Sequence, residues 1–242
     1  MATGSDPAER PQVPFGDRPF DQLAAELVAD QLAAEPNLGT FLGIPDHDER
    51  VADKSEASIA ARQRREDHWL ERFSALDDTD LDLEERIDRD LVVMILRGRR
   101  LMRDWQGWRR SPDDYAGSIL TGLQLLLLNR DADDPGRATA LAARLRGAAE
   151  LLAQGQANLD PELAAPELVH RGIGMARAGA VYARSVAGLV PEEARPAVAD
   201  AGEDAGVAFD RFADFVEDLA EKAGLAGRPV PSRDRPEGLL SP

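Results

Sequence analysis

From Phe20 to Asn158 the apolar residues of this chain recur every three or four positions, and Ser, Asp or Pro stands where each recurrence begins. Nowhere do apolar and polar residues alternate with a period of two. A chain patterned this way can bury its apolar stripes only by packing helix on helix. Apolar residues make up 43% of the 242, enough for a true core, yet aromatics supply only 5%. Alanine carries much of the remainder, and it favours helix while covering little area, so close helix contacts are expected rather than a large aromatic core. The fold class is all-α: a multi-helix bundle or helical array of six to eight helices between residues 20 and 224.

Individual helices can be placed. The first runs from about Asp21 to Ala34 and closes at Pro36, and a loop through Gly39, Gly43, Pro45 and Asp48 follows. A second spans about Ser55 to Leu76. The longest is expected from Asp82 to Trp108, with Leu83, Ile87, Leu91, Met94, Leu101, Trp105 and Trp108 as its apolar stripe. Acidic residues gather at its start and Arg97, Arg99, Arg100 and Arg103 toward its end, matching the helix dipole and reading as a solvated face paired with acidic neighbours. Ser111-Pro112-Asp113-Asp114 predicts a capped start for a helix ending near Asn129, and Asp134-Pro135 one running to Asn158. Pro166 opens a helix to about Leu189, and a last one follows Pro196. Trp105, Leu91, Ile87, Leu123 and Phe212 are the expected buried anchors. Residues 1–19 and 225–242, rich in proline and charge, are expected to be disordered.

Composition narrows the function. The net charge is -16, which repels nucleic-acid backbones and anionic membranes alike. The strongest apolar run, Ile119 to Leu128, is half the length of a bilayer crossing. With no cysteine, disulfides, thiolate metal sites and cysteine nucleophiles are excluded. A protein of the cytoplasm, binding neither nucleic acid nor membrane, is the expectation.

Chemistry has few carriers. The histidines are His47, His68 and His170, and no two share the four-residue spacing that lets a helix present both imidazoles to one zinc. Glu167 and His170 have the carboxylate-histidine spacing of di-iron bundles, but such sites need two copies of it and further glutamates. Asp46-His47-Asp48-Glu49 is polar enough to hold a cation weakly, and more simply forms a turn. His68 beside Trp69 reads as a half-buried packing residue. Gly172-Ile173-Gly174 lacks the third glycine and the strand of a dinucleotide loop. No catalytic, cofactor or metal residue is therefore assigned.

Several segments carry a family likeness. The opening FDQLAAELVADQLAAEPNLGTFLGIPDHDERVADKS, with Pro36, Thr40, Leu42-Gly43 and Asp53-Lys54-Ser55, resembles the start of the bacterial domain of unknown function 885 family. EERIDRDLV, SPDDY with Tyr115, and RATALAARLRGAAELLAQGQANL extend the match in order. The resemblance implies a helical protein related to zinc carboxypeptidase-like enzymes, whose second half carries a His-Glu-x-x-Pro-Gly-His-type helix. That motif is absent here, so the resemblance implies a truncated product or a free-standing N-terminal module. Three functions stay open: a catalytically silent helical domain, the cleft-forming half of a split metallopeptidase whose zinc half is another polypeptide, or an unrelated binding or scaffold module. An exposed apolar face, for self-association or a partner polypeptide, is the expected trace of a missing half; Phe209, Phe212, Phe215 and Val216 are its candidates, with an internal core as their simpler use.

Overall fold

Eight α-helices account for the described residues of the computed structural model, which are Gly16, 18–131 and 134–225. In chain order they are α1 Pro19–Ala34, α2 Pro36–Phe41, α3 Glu56–Ser74, α4 Leu83–Met102, α5 Asp113–Asn129, α6 Pro135–Asn158, α7 Pro166–Ser185 and α8 Arg195–Lys222. No strand occurs among them. Most of the expected disordered ends lie outside the described residues.

The starts obey local chemistry. Ser55 Oγ accepts from the Ser58 amide at 3.3 Å, and Asp134 Oδ1 accepts from Gly136 at 2.8 Å. Asp82 and Glu85 close a reciprocal capping box at 3.0 and 2.8 Å. Proline occupies the first or second position of α1, α2, α6, α7 and α8, where no amide hydrogen is needed. Ser111, the expected cap of α5, does not cap it. Pro112 continues the turn in helical conformation, and the Ser111 carbonyl accepts from the Asp114 amide at 3.1 Å. The expected loop after α1 is also more ordered than its residues suggest: α2 forms at its start, and a 3₁₀ turn covers Pro45–His47.

The helices build two cores. The larger joins α5, α6, α7 and α8 around Tyr115, Leu123, Leu145, Phe209, Phe212 and Val216. Here small residues do what the composition promised. A Cβ on Gly202 of α8 would lie 2.5 Å from the Ala183 carbonyl oxygen of α7, and one on Gly179 would lie 2.6 Å from the Phe209 ring. The smaller core joins α1, α3 and α4 through Phe20, Leu23, Trp69, Phe73, Val93 and Leu96, with Phe20 and Phe73 edge to face at 6.1 Å.

Helix α4 corrects the sequence reading. Leu123 and Phe212 are fully buried, but Ile87, Leu91 and Trp105 are 58%, 48% and 46% exposed. The helix also stops at Met102; Gln106 takes a left-handed conformation (φ 49°), and 3₁₀ turns on either side carry the chain to Arg109. The wide apolar stripe faces outward because the opposite face is held by charge. Arg103 pairs with Asp67 at 2.8 Å and Glu66 at 3.2 Å on α3, Arg99 reaches Glu66 at 3.4 Å, and Arg18 holds Glu85 at 2.8 Å. Between these pairs only Val93 and Leu96 are buried. The arginines expected on a solvated face thus divide, two crossing to α3 and Arg97 and Arg100 standing exposed.

Candidate functional site

Between the two cores lies a polar cleft of about 440 Å³. Its walls are the end of α1, the extended residues 51–55, the start of α3, the end of α4 with its 3₁₀ turns, and the start of α5. The extended segment hydrogen-bonds with α6. The Lys54 amide donates to Gln154 Oε1 at 2.7 Å, and the Lys54 carbonyl accepts from Asn158 Nδ2 at 2.7 Å. Asn158 also donates to the Tyr115 hydroxyl at 3.0 Å, which donates in turn to the Trp108 carbonyl at 2.5 Å. Two residues of α6 thus fix the Lys54 backbone, and Tyr115 and the Trp108 carbonyl steady one of them.

That position aims the Lys54 ammonium into the cleft. Its Nζ donates to the Asp114 carbonyl at 2.7 Å and lies 5.7 Å from the centre of the Tyr115 ring. An ammonium has three donors, and a backbone carbonyl takes one. Burial pushes Lys54 below its ordinary value, against the pull of Glu35 and Asp114. Burial also raises the Asp114 carboxyl, and it drives the Tyr115 phenol up to about 12, so Tyr115 stays neutral. The surrounding arginines each close an ion pair: Arg62 with Glu35 at 2.6 Å, Arg65 with Asp30 at 2.6 Å, Arg103 with Glu66 and Asp67. No carboxylate among the described residues closes an ion pair with Lys54. The cleft therefore offers a partly desolvated ammonium with spare donors and no ion pair, beside an aromatic wall.

A second polar cluster, beneath α2, is built to stay shut. Arg144 of α6 is 1% exposed, and its guanidinium donates to the carbonyls of Asp48 (2.6 Å) and His47 (3.1 Å), to Asn37 Oδ1 (2.8 Å) and to Thr40 Oγ1 (2.6 Å). Burial pulls it down to about 10, so it remains charged at neutral pH. Asp48 is committed as well, accepting from Thr40 at 2.8 Å and from Arg130 at 2.6 Å. This accounts for the 46–49 loop: its carboxylate closes a turn.

The histidines do not converge. His47 lies against Gly39, with burial the main cause lowering its pKa; His68 stands exposed beside Trp69 on α3; exposed His170 turns Nδ1 to the Pro166 carbonyl at 2.7 Å. His68 was read as half-buried; its ring lies at the margin, 5.8 Å from Trp69, while Trp69 alone enters the core. Among the described residues no group of three or more His, Asp or Glu side chains is arranged to hold a metal ion. Gly172 is a packing glycine, 2.6 Å from Pro112 by its notional Cβ. Sequence reasoning missed Lys54, Gln154 and Asn158 as a set. A signal was available, because Lys54 is one of two lysines in a chain that otherwise uses arginine.

The segments that meet here are those with the family likeness: residues 53–55, SPDDY, and the end of α6. The family described as bacterial protein of unknown function (DUF885) matches residues 36–237. A solved structure described as "a putative lipoprotein of unknown function from Shewanella oneidensis" has the same fold, with a TM-score of 0.71 at 15% identity. The likeness covers 86% of this chain and 39% of that one, so the chain spans well under half of its neighbour's length. No curated protein matches the sequence.

Proposed function

The chain belongs to the DUF885 family, and from that membership we propose that it is a catalytically silent helical module whose cleft holds the terminal carboxylate of a peptide. The observation that carries this reading is the Lys54 ammonium, fixed by its backbone, partly desolvated and in no ion pair with a carboxylate among the described residues. The resemblance to zinc carboxypeptidase-like enzymes is what suggests a peptide, and the chemistry itself would come from elsewhere. A catalytic zinc needs about three protein ligands and an open position. We place the module in the cytoplasm on its cysteine-free composition.

Titration calorimetry with a short peptide bearing either a free or an amidated C-terminus tests the proposal. The free form should bind and the amide should not, and Lys54→Met should weaken binding at least about tenfold, the loss of one charge-assisted hydrogen bond. Equal binding of both peptides would overturn the carboxylate reading. Elemental analysis after dialysis, beside a peptidase assay with added zinc, tests catalytic silence; one retained zinc per chain with turnover would end it.

The neighbour's length favours a second reading, in which this chain is the cleft-forming half of a metallopeptidase and another polypeptide brings the zinc. An open reading frame for such a half beside this gene would support it, and restored peptidase activity on mixing would decide for it.

A further inference from the structure

Leu83, Ile87, Leu91, Met94, Ile95, Leu101, Met102 and Trp105 are all exposed by 45% or more, and they form one stripe along α4 and the turn that follows it. At 1.5 Å per residue the stripe is about 33 Å long. Gly98 lies within it, with open space where a Cβ would stand. Contiguous apolar surface of this extent marks an interaction site rather than ordinary scatter.

The charges beside the stripe select the occupant. Glu84, Asp88 and Asp90 lie in its N-terminal half, Arg97, Arg99 and Arg100 in its C-terminal half, all exposed. Among the described residues, Asp88, Arg97 and Arg100 take part in no ion pair. A sequence that reverses sign about its own midpoint is complementary to itself run backwards. We propose that α4 pairs with α4 of a second copy, antiparallel, across a two-fold axis near Met94. Ile87 then lies opposite Leu101 of the second copy, and Leu83 opposite its Trp105. On one flank Asp90, which also holds Arg89 of its own chain at 2.8 Å, faces Arg97 of the second copy; on the other, Asp88 lies level with Arg99, whose guanidinium is turned to Gln31 and Glu66 within its own chain. Parallel pairing would set Asp88 against Asp88 and Arg97 against Arg97. Beside Leu101 runs a groove lined by Leu70, by Arg97, Arg100 and Arg103, and by Asp67, Glu71 and Asp104, so its charge is mixed and the flank pairs alone set the direction. An isologous contact of this kind closes at two copies. One helix pair buries less than the roughly 800 Å² per partner of a standard interface, so the dimer should form in the micromolar range.

Sedimentation velocity on the full chain, from low to several hundred micromolar, tests this. A reversible monomer–dimer equilibrium is expected. Leu91→Asp should abolish it without altering the circular dichroism spectrum, since Leu91 is a surface residue. Asp90→Arg alone and Arg97→Asp alone should each weaken dimerisation by at least about tenfold, and the double exchange should restore it, because the inverted pair re-forms across the axis. A chain that stays monomeric throughout would overturn the proposal. So would a dimer that Leu91→Asp leaves intact, or one that the double exchange does not rescue.

Discussion

Arg144 and Lys54 show how one physical circumstance, a cation inside a protein, can have opposite consequences. Arg144 spends its donors on three carbonyl oxygens and a hydroxyl from residues 37–48, so removing it leaves buried acceptors without partners. Arg144→Met should cost roughly 3–5 kcal/mol in urea unfolding. Lys54 donates its ammonium to a single carbonyl, and its position is held through backbone atoms that any residue keeps. Lys54→Met should therefore leave stability unchanged or slightly raised while binding is lost. The pH dependence follows from the sign. Lys54 has a folded-state pKa lowered from 10.5, so the folded protein sheds this proton before the unfolded chain does. As pH rises through the folded value toward 10.5 the buried charge disappears, and this group's contribution to stability increases while carboxylate binding falls away. A binding titration against pH should lose affinity below 10.5 in the wild type and show no such step in Lys54→Met. Trp105, expected to be a core anchor, packs under the Arg110 guanidinium at 4.5 Å and is half exposed. Trp105→Ala should cost about 1 kcal/mol or less in the same unfolding experiment.

Among the helices, the outcome separates by what kind of force fixes each face. Helices α5 to α8 were legible in the sequence, because for them one broad apolar stripe is also the buried one; Phe209, Phe212 and Val216, for which an internal core was the simpler expectation and an exposed face the other, are core residues of this kind. Helix α4 was legible in its existence and misleading in its orientation. Periodicity reports where apolar residues lie, and the choice of inward face was made by Glu66, Asp67 and Glu85, whose partners are remote in the chain. The cleft was illegible for the same reason: Lys54, Tyr115 and Asn158 are far apart in sequence and become a site only when α5 and α6 meet the extended segment. Glycines offer a test of helix contact. Gly202→Ala would drive a Cβ into the Ala183 carbonyl and should destabilise by about 1–3 kcal/mol. Gly174→Ala, in the middle of α7 with open space around it, should stabilise by about 0.5–1 kcal/mol. Thermal unfolding of the two variants would show whether α7 and α8 are as closely seated as their small residues indicate.

The molecule as a whole has a strong side and a weak side. The α5–α8 core is deep, whereas α1 and α3 are joined as much by surface ion pairs, Arg62–Glu35, Arg65–Asp30 and Arg72–Glu26, as by apolar contact. Native-state hydrogen exchange should open α1, α3 and α4 before the remainder, and added salt should speed that opening, since such pairs are screened. Faster exchange in α8 than in α3 would contradict this division. The Arg144 cluster adds a consequence in time. Its bonds join residues 96 to 107 positions apart, so the turn at 37–48 is complete only once α6 exists. At a synthesis rate of about 5–20 residues per second, the segment leaves the ribosome roughly 5–20 s before its arginine does. During that interval the Asp48 and His47 carbonyls and the Asn37 side-chain oxygen lack their arginine donor, and the Thr40 hydroxyl has Asp48 alone within the segment. The turn at 37–48 is thus sealed late, by a residue about a hundred positions further along the chain.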